Sequence, residues 1–172
     1  MRNIFIGMMW VFLNFHLDLG DMRIGLIPSF IGYYFIIRGL GELADFSPHF
    51  RNSISFVRIA FGYSIFVYIL DLIGAIPPDT LIAIILGAIS MILSFVMSYK
   101  VVMGIKDIEA EQHRVLNSTK LLSALKILII FSFTSIFLSF DPLLVIIGVI
   151  AYFIIVIYYL YQFSKTKNIY LS

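Results

Sequence analysis

Six apolar stretches alternate with short polar connections along this chain, and its cations crowd into every second connection. The stretches run from about Ile4 to Leu17, Ile24 to Leu40, Ile54 to Ile76, Leu81 to Tyr99, Leu121 to Phe140 and Leu143 to Phe163. If each is a crossing, eleven of the twelve Lys and Arg fall on one side of a membrane. That set is Arg2, then Arg38, Arg51 and Arg58, then Lys100, Lys106, Arg114, Lys120 and Lys126, and finally Lys165 and Lys167. Arg23 stands alone on the other side. Cations near the ends of crossings hold those ends in the cytoplasm. The pattern predicts an all-α polytopic membrane protein, a six-transmembrane-helix bundle with both termini cytoplasmic.

Composition leaves little room for anything else. The chain is 61% hydrophobic and 13% charged with a mean hydropathy of +1.02, whereas a soluble domain is about half apolar. The breaks between stretches are too short to fold alone, so residues 1–172 are read as a single integral membrane domain. Arg2 followed by an apolar run imitates a signal peptide, but no small-x-small cleavage site follows, and the run is read as a retained first helix. The chain has no Cys, which removes disulfides, thiolate nucleophiles and lipobox anchoring. A net charge of +2 points to no nucleic acid.

Ser47-Pro48 places a capping hydroxyl before a proline at a first helical position. Pro77-Pro78-Asp79 and Asp141-Pro142 read as outer turns whose carboxylates cap the fourth and sixth helices. The longest polar stretch, 100–120, is a cytoplasmic amphipathic connection. Ile105, Ile108, Gln112, Val115 and Leu122 follow helical spacing there, which predicts a fourth helix continuing below the membrane with one apolar side.

Chemistry concentrates at the first hairpin. Its first helix is short, about 14 to 16 residues, reaching only about 21 to 24 Å. It ends in Asn14, His16 and Asp18, and the second helix is interrupted early by Pro28-Ser29. A short helix paired with a Pro- and Gly-interrupted one marks binding sites in transporters. Asn14, His16, Asp18, Arg23, Ser29 and Asp71 are therefore the ligand or ion-pair candidates. Arg23, the lone outer cation, needs a partner, and Asp71, expected about 7 Å inside the third helix by helical rise, is the first choice, with Asp18 and Asp21 as alternatives. Gly25, Ser29, Gly32 and Gly39 share one face of the second helix and predict a helix-packing seam.

Catalysis is not expected. His16 is placed outside and His49 and His113 inside, so no three-histidine metal site assembles, and neither H-E-x-x-H nor G-x-S-x-G occurs. His16 and Asp18, two residues apart on a helix, would diverge. No metal and no cofactor is implied.

The run Asn14-Phe15-His16-Leu17-Asp18-Leu19-Gly20, with Arg23-Ile24-Gly25-Leu26-Ile27-Pro28-Ser29-Phe30-Ile31-Gly32-Tyr33, resembles the amino-terminal signature of a group of uncharacterised bacterial multi-pass membrane proteins. The resemblance covers about the first 45 residues. It implies a bacterial plasma membrane and supplies no activity. The group carries an acid where this chain has Ser29, so a protonatable site there is not carried over. Size and expected topology also resemble the substrate-capturing subunits of energy-coupling-factor vitamin transporters, whose Ala-rich motif on the first helix is missing here.

Two roles follow. One is a non-enzymatic subunit or organiser of a membrane complex, meeting the lipid bilayer and a membrane-protein partner or a second copy of the chain. The other is a small-solute carrier, or the substrate-binding subunit of a transporter, with a small-molecule ligand.

Overall fold

A computed structural model describes residues 1–13, 16–19, 22–25, 28–77, 80–113, 115–135 and 142–171, with the backbone alone described at 16–19, 22–25, 135, 142, 143 and 145. Among these residues the order is α1 (Arg2–Phe12), β1 (His16–Leu19), β2 (Met22–Gly25), α2 (Ser29–Leu43), α3 (Pro48–Leu72), α4 (Leu81–Glu111), α5 (Ser118–Ser135) and α6 (Pro142–Leu171). The chain packs as two compact units, Met1–Val101 and Val102–Ser172. Among the described residues three helical segments are long and apolar enough to cross a membrane: Pro48–Leu72, Leu81–Glu111 and Ile146–Leu171.

The expected all-α class holds, with six helices among the described residues and one short element of another kind. The first two apolar stretches do not run helix to helix, because an antiparallel two-stranded hairpin lies between α1 and α2. Pro28 accounts for the late start of α2. It lacks an N–H, it disfavours helix in the residue before it, and it sits extended at φ −63, ψ 121 as the residue preceding the helix. The first helix, with 11 residues, is about 16 Å long and so accounts for about half of the roughly 30 Å of hydrocarbon.

In the first unit α1 and α2 run antiparallel along a glycine seam. A Cβ on Gly32 would lie 2.7 Å from the Gly7 carbonyl oxygen and 2.8 Å from Val11 Cγ2. One on Gly39 would lie 2.7 Å from the Ile4 backbone nitrogen. Around the seam Ile4, Met8, Ile36 and Leu40 are fully enclosed. The second helix also packs on α3, whose buried face is Phe50, Ser53, Val57 and Ala60.

The α3 helix starts as Ser47-Pro48 anticipates, the Ser47 hydroxyl accepting from the His49 N–H at 3.0 Å. It ends at Leu72 rather than Ile76. Gly74 takes φ 63 and donates to the Asp71 carbonyl, while Ala75 donates to that of Leu70, the paired bonds of a Schellman stop. The α4 helix is capped by Thr80, whose hydroxyl accepts from the Ala83 N–H at 3.3 Å. The carboxylates expected at the α4 and α6 caps, Asp79 and Asp141, lie outside the described residues.

In the second unit α4 runs unbroken to Glu111. Ile105 and Ile108 are buried as the spacing anticipates, but Val115 is 76% exposed and Leu116 is buried in its place. The helical phase does not carry through, because the helix stops at Glu111 and a new one starts at Ser118. His113 (φ 51) and Asn117 (φ 62) turn the chain between them. The Glu109 carboxylate fastens that turn, accepting from the N–H of Leu116 at 2.9 Å and of Ser118 at 3.1 Å. Leu121, Ala124, Leu125 and Leu128 of α5 and Tyr159 and Phe163 of α6 complete this unit's core.

Candidate functional site

The hairpin pairs His16 with Gly25, Leu17 with Ile24, Asp18 with Arg23 and Leu19 with Met22. Asp18 and Arg23 are thus directly opposed, a cross-strand position where opposite charges stabilise each other. Strand β2 lies alongside α3, which carries Asp71 in its last turn. The register places one cation position opposite one carboxylate position, on a strand that neighbours the helix carrying a second carboxylate. Asp71 is the penultimate residue of α3, not one set about 7 Å inside the helix, because the Schellman stop shortens α3. His16 and Asp18 stand two apart in a strand, and alternate strand positions fall on one side; the divergence argued for a helix does not apply to them.

Ser29 opens α2 and is half-buried, and Asn14 and Asp21 lie outside the described residues. Gly25 belongs to β2, so it does not extend the glycine face of α2. The helical continuity assumed for that face breaks at Pro28. Gly32 and Gly39 meet α1, and the absence of a Cβ at each is what permits that approach.

Below the hairpin lies a set of hydroxyls. The Tyr33 hydroxyl is 3.0 Å from Ser94 Oγ. Ser94 in turn donates to the Ser90 carbonyl at 2.8 Å, and Ser98 to that of Ser94 at 2.8 Å. Tyr63 donates across to the Leu86 carbonyl at 2.8 Å. Ser64, on the buried face of α3, has its Oγ enclosed with no hydrogen-bond partner among the described residues. Tyr33, Tyr63 and the serines of α4 are not among the ligand or ion-pair candidates that the sequence offers. The available signal was that both tyrosines sit well inside apolar stretches, away from the interfacial belts where tyrosine is ordinarily placed.

The end of this unit away from the hairpin is charged and solvated. Arg38 pairs with Glu42 at 3.9 Å and Arg51 with Asp45 at 3.5 Å, while Asn3 donates to Glu42 at 2.5 Å. Exposed pairs of this kind contribute about 0 to 1 kcal/mol and carry no chemistry. Lys100 Nζ stands 5.9 Å from the centre of the Phe56 ring. Among the described residues no three His, Asp or Glu come together to hold a metal ion. Comparison with family models, with curated proteins and with solved structures finds no match.

Proposed function

We propose that the chain is a six-crossing protein of a bacterial plasma membrane with both termini in the cytoplasm, working as a non-enzymatic subunit or organiser of a membrane complex. The family suggested by the amino-terminal run from Asn14 to Tyr33 supports the bacterial placement, and the eleven-to-one cation split supports the orientation.

The observation that carries the complex-forming role is the outward stripe of α3. Ile59, Gly62, Phe66, Ile69 and Ile73 follow spacings of three and four, and the four large residues are 66%, 55%, 50% and 64% exposed. Between them Gly62 has nothing within 4 Å of where a Cβ would lie. A gap of this kind in an otherwise bulky apolar stripe lets another helix approach closely. The test is Gly62→Leu, with native mass spectrometry of the protein released from its own membrane. The wild type should carry a partner or a second copy, and the variant should lose it at unchanged melting temperature. A wild type released bare and monomeric would contradict the role.

A second reading, a small-solute carrier or binding subunit, is favoured by the shortness of α1 and α2 beside α3 and α4.

A further inference from the structure

The residues of the β1–β2 hairpin divide by face. Successive positions of a strand alternate between faces, and directly opposed positions of an antiparallel pair share one. The register therefore puts His16, Asp18, Arg23 and Gly25 on one face and Leu17, Leu19, Met22 and Ile24 on the other. Every large apolar residue of the two strands falls on one side, and every charged or titratable residue on the opposite side. An antiparallel sheet so divided has one face on an apolar medium and one on water.

The bundle is placed to cover part of that apolar face. Among the described residues it is β2 that lies alongside a helix, α3, and β1 is the outlying strand. The Phe30 ring meets that of Tyr68 at 5.4 Å, about one helical turn short of Leu72, the last residue of α3. Gly25 precedes Ser29 by four residues, which reach at most about 14 Å, so β2 runs beside the C-terminal half of α3. There the helix is apolar outward to its end, with Ile69, Leu72 and Ile73 all exposed. On a crossing helix, an exposed apolar surface that continues to the last turn keeps hydrocarbon at that level. A two-stranded hairpin does not descend into hydrocarbon, because lipid offers no partner to the backbone N–H and C=O groups along its outer edges. The level left to it is the boundary, where headgroups and water serve the strand edges and the charged face together.

We propose that the β1–β2 hairpin is a lipid-surface element. It lies in the plane of the leaflet at the C-terminal end of α3, with the face of Leu17, Leu19, Met22 and Ile24 on the acyl chains beneath the headgroups and the face of His16, Asp18, Arg23 and Gly25 on water. Amphipathic helices hold an interface by the same division of apolar and charged faces. Asp18 and Arg23 oppose one another in the register, so the watered face sets one charge of each sign side by side and calls for no anionic lipid.

The inference rests on the reading of α3 and α4 as crossings, and one experiment tells the two apart. The chain has no Cys, so the full protein can be spin-labelled at one cysteine at a time and reconstituted into phosphatidylcholine vesicles. The hairpin variants are Leu17→Cys, Asp18→Cys, Leu19→Cys, Met22→Cys, Ile24→Cys and Gly25→Cys, with Ile92→Cys at an exposed position partway along α4 as the reporter of the crossing. Power saturation compares collisions with oxygen, which concentrates in hydrocarbon, and with a water-soluble nickel chelate. The oxygen-to-nickel ratio should be several-fold higher at positions 17, 19, 22 and 24 than at 18 and 25, and Ile92→Cys should share the high value. With two apolar positions read on each strand, no single variant that misfolds decides the outcome. Labels at the four apolar positions shielded from both reagents would mean that protein covers that face, and would overturn the lipid contact. High and equal nickel access at all six hairpin positions would place both faces in water and overturn it as well. High nickel access at Ile92→Cys would overturn the crossing itself, whatever the hairpin shows.

Discussion

Gly32 shows how much one missing methyl group decides. With the Gly7 carbonyl 2.7 Å and Val11 Cγ2 2.8 Å from a would-be Cβ, even Gly32→Ala must push α1 away from α2. We expect Gly32→Leu to cost about 1 to 3 kcal/mol, the usual price of overpacking, while Ile31→Leu on the neighbouring, half-buried position costs less. Equal melting temperatures for the two variants would remove the seam. Arg23 poses the electrostatic counterpart. Asp18 faces it in the strand register and Asp71 is carried by the helix beside β2, so removing Arg23 takes away the positive charge opposite Asp18. Double-mutant cycles of Arg23→Ala with Asp71→Ala and with Asp18→Ala should each show coupling above about 0.3 kcal/mol in detergent melts. Coupling below that in both cycles would remove Arg23 from any ion pair with these two carboxylates. Gly32 and Gly39 were readable from their spacing, whereas Gly25 of the same spacing falls in β2 and Gly7, their counterpart on α1, was not singled out. The opposition of Asp18 and Arg23 was not readable, because it exists only once residues 16–25 fold back as strands.

Helix ends divide into those whose signal is local and those whose signal is not. Ser47-Pro48 announces α3 in two residues, and the structure places the cap there. Gly74 and Pro77 both bore on the end of α3, but an apolar run through Ile76 concealed the stop at Leu72. The α4–α5 turn was harder to foresee, since its clamp joins Glu109 to backbone groups seven and nine positions later. Hydropathy periodicity carried through that turn put Val115 and Leu122 on the apolar side, where the fold buries Leu116 and Leu121 instead. Glu109→Ala should leave the N–H groups of Leu116 and Ser118 without their acceptor and cost about 1 to 3 kcal/mol. Hydrogen exchange at those two amides should accelerate ahead of the α5 core at Leu125, and unchanged exchange would show that the clamp is dispensable.

The helical, apolar character of the chain was legible from composition, and three of its helical segments are long and apolar enough to cross a membrane. What hydropathy could not convey is that equally apolar stretches differ in helical length. The run from Ile4 to Leu17 looks like its neighbours but forms only the 11 residues of α1 before the chain becomes extended. The unequal lengths of α1, α2 and α3 that follow come from where the backbone leaves the helix rather than from composition. Orientation is the claim on which the rest depends, and single cysteines labelled with an impermeant thiol reagent on intact cells test it. Gly20→Cys, Asp79→Cys and Asp141→Cys should label from outside, and Val115→Cys only after the cells are opened. Labelling of Val115→Cys on intact cells, with Asp79→Cys and Asp141→Cys protected, would contradict the account.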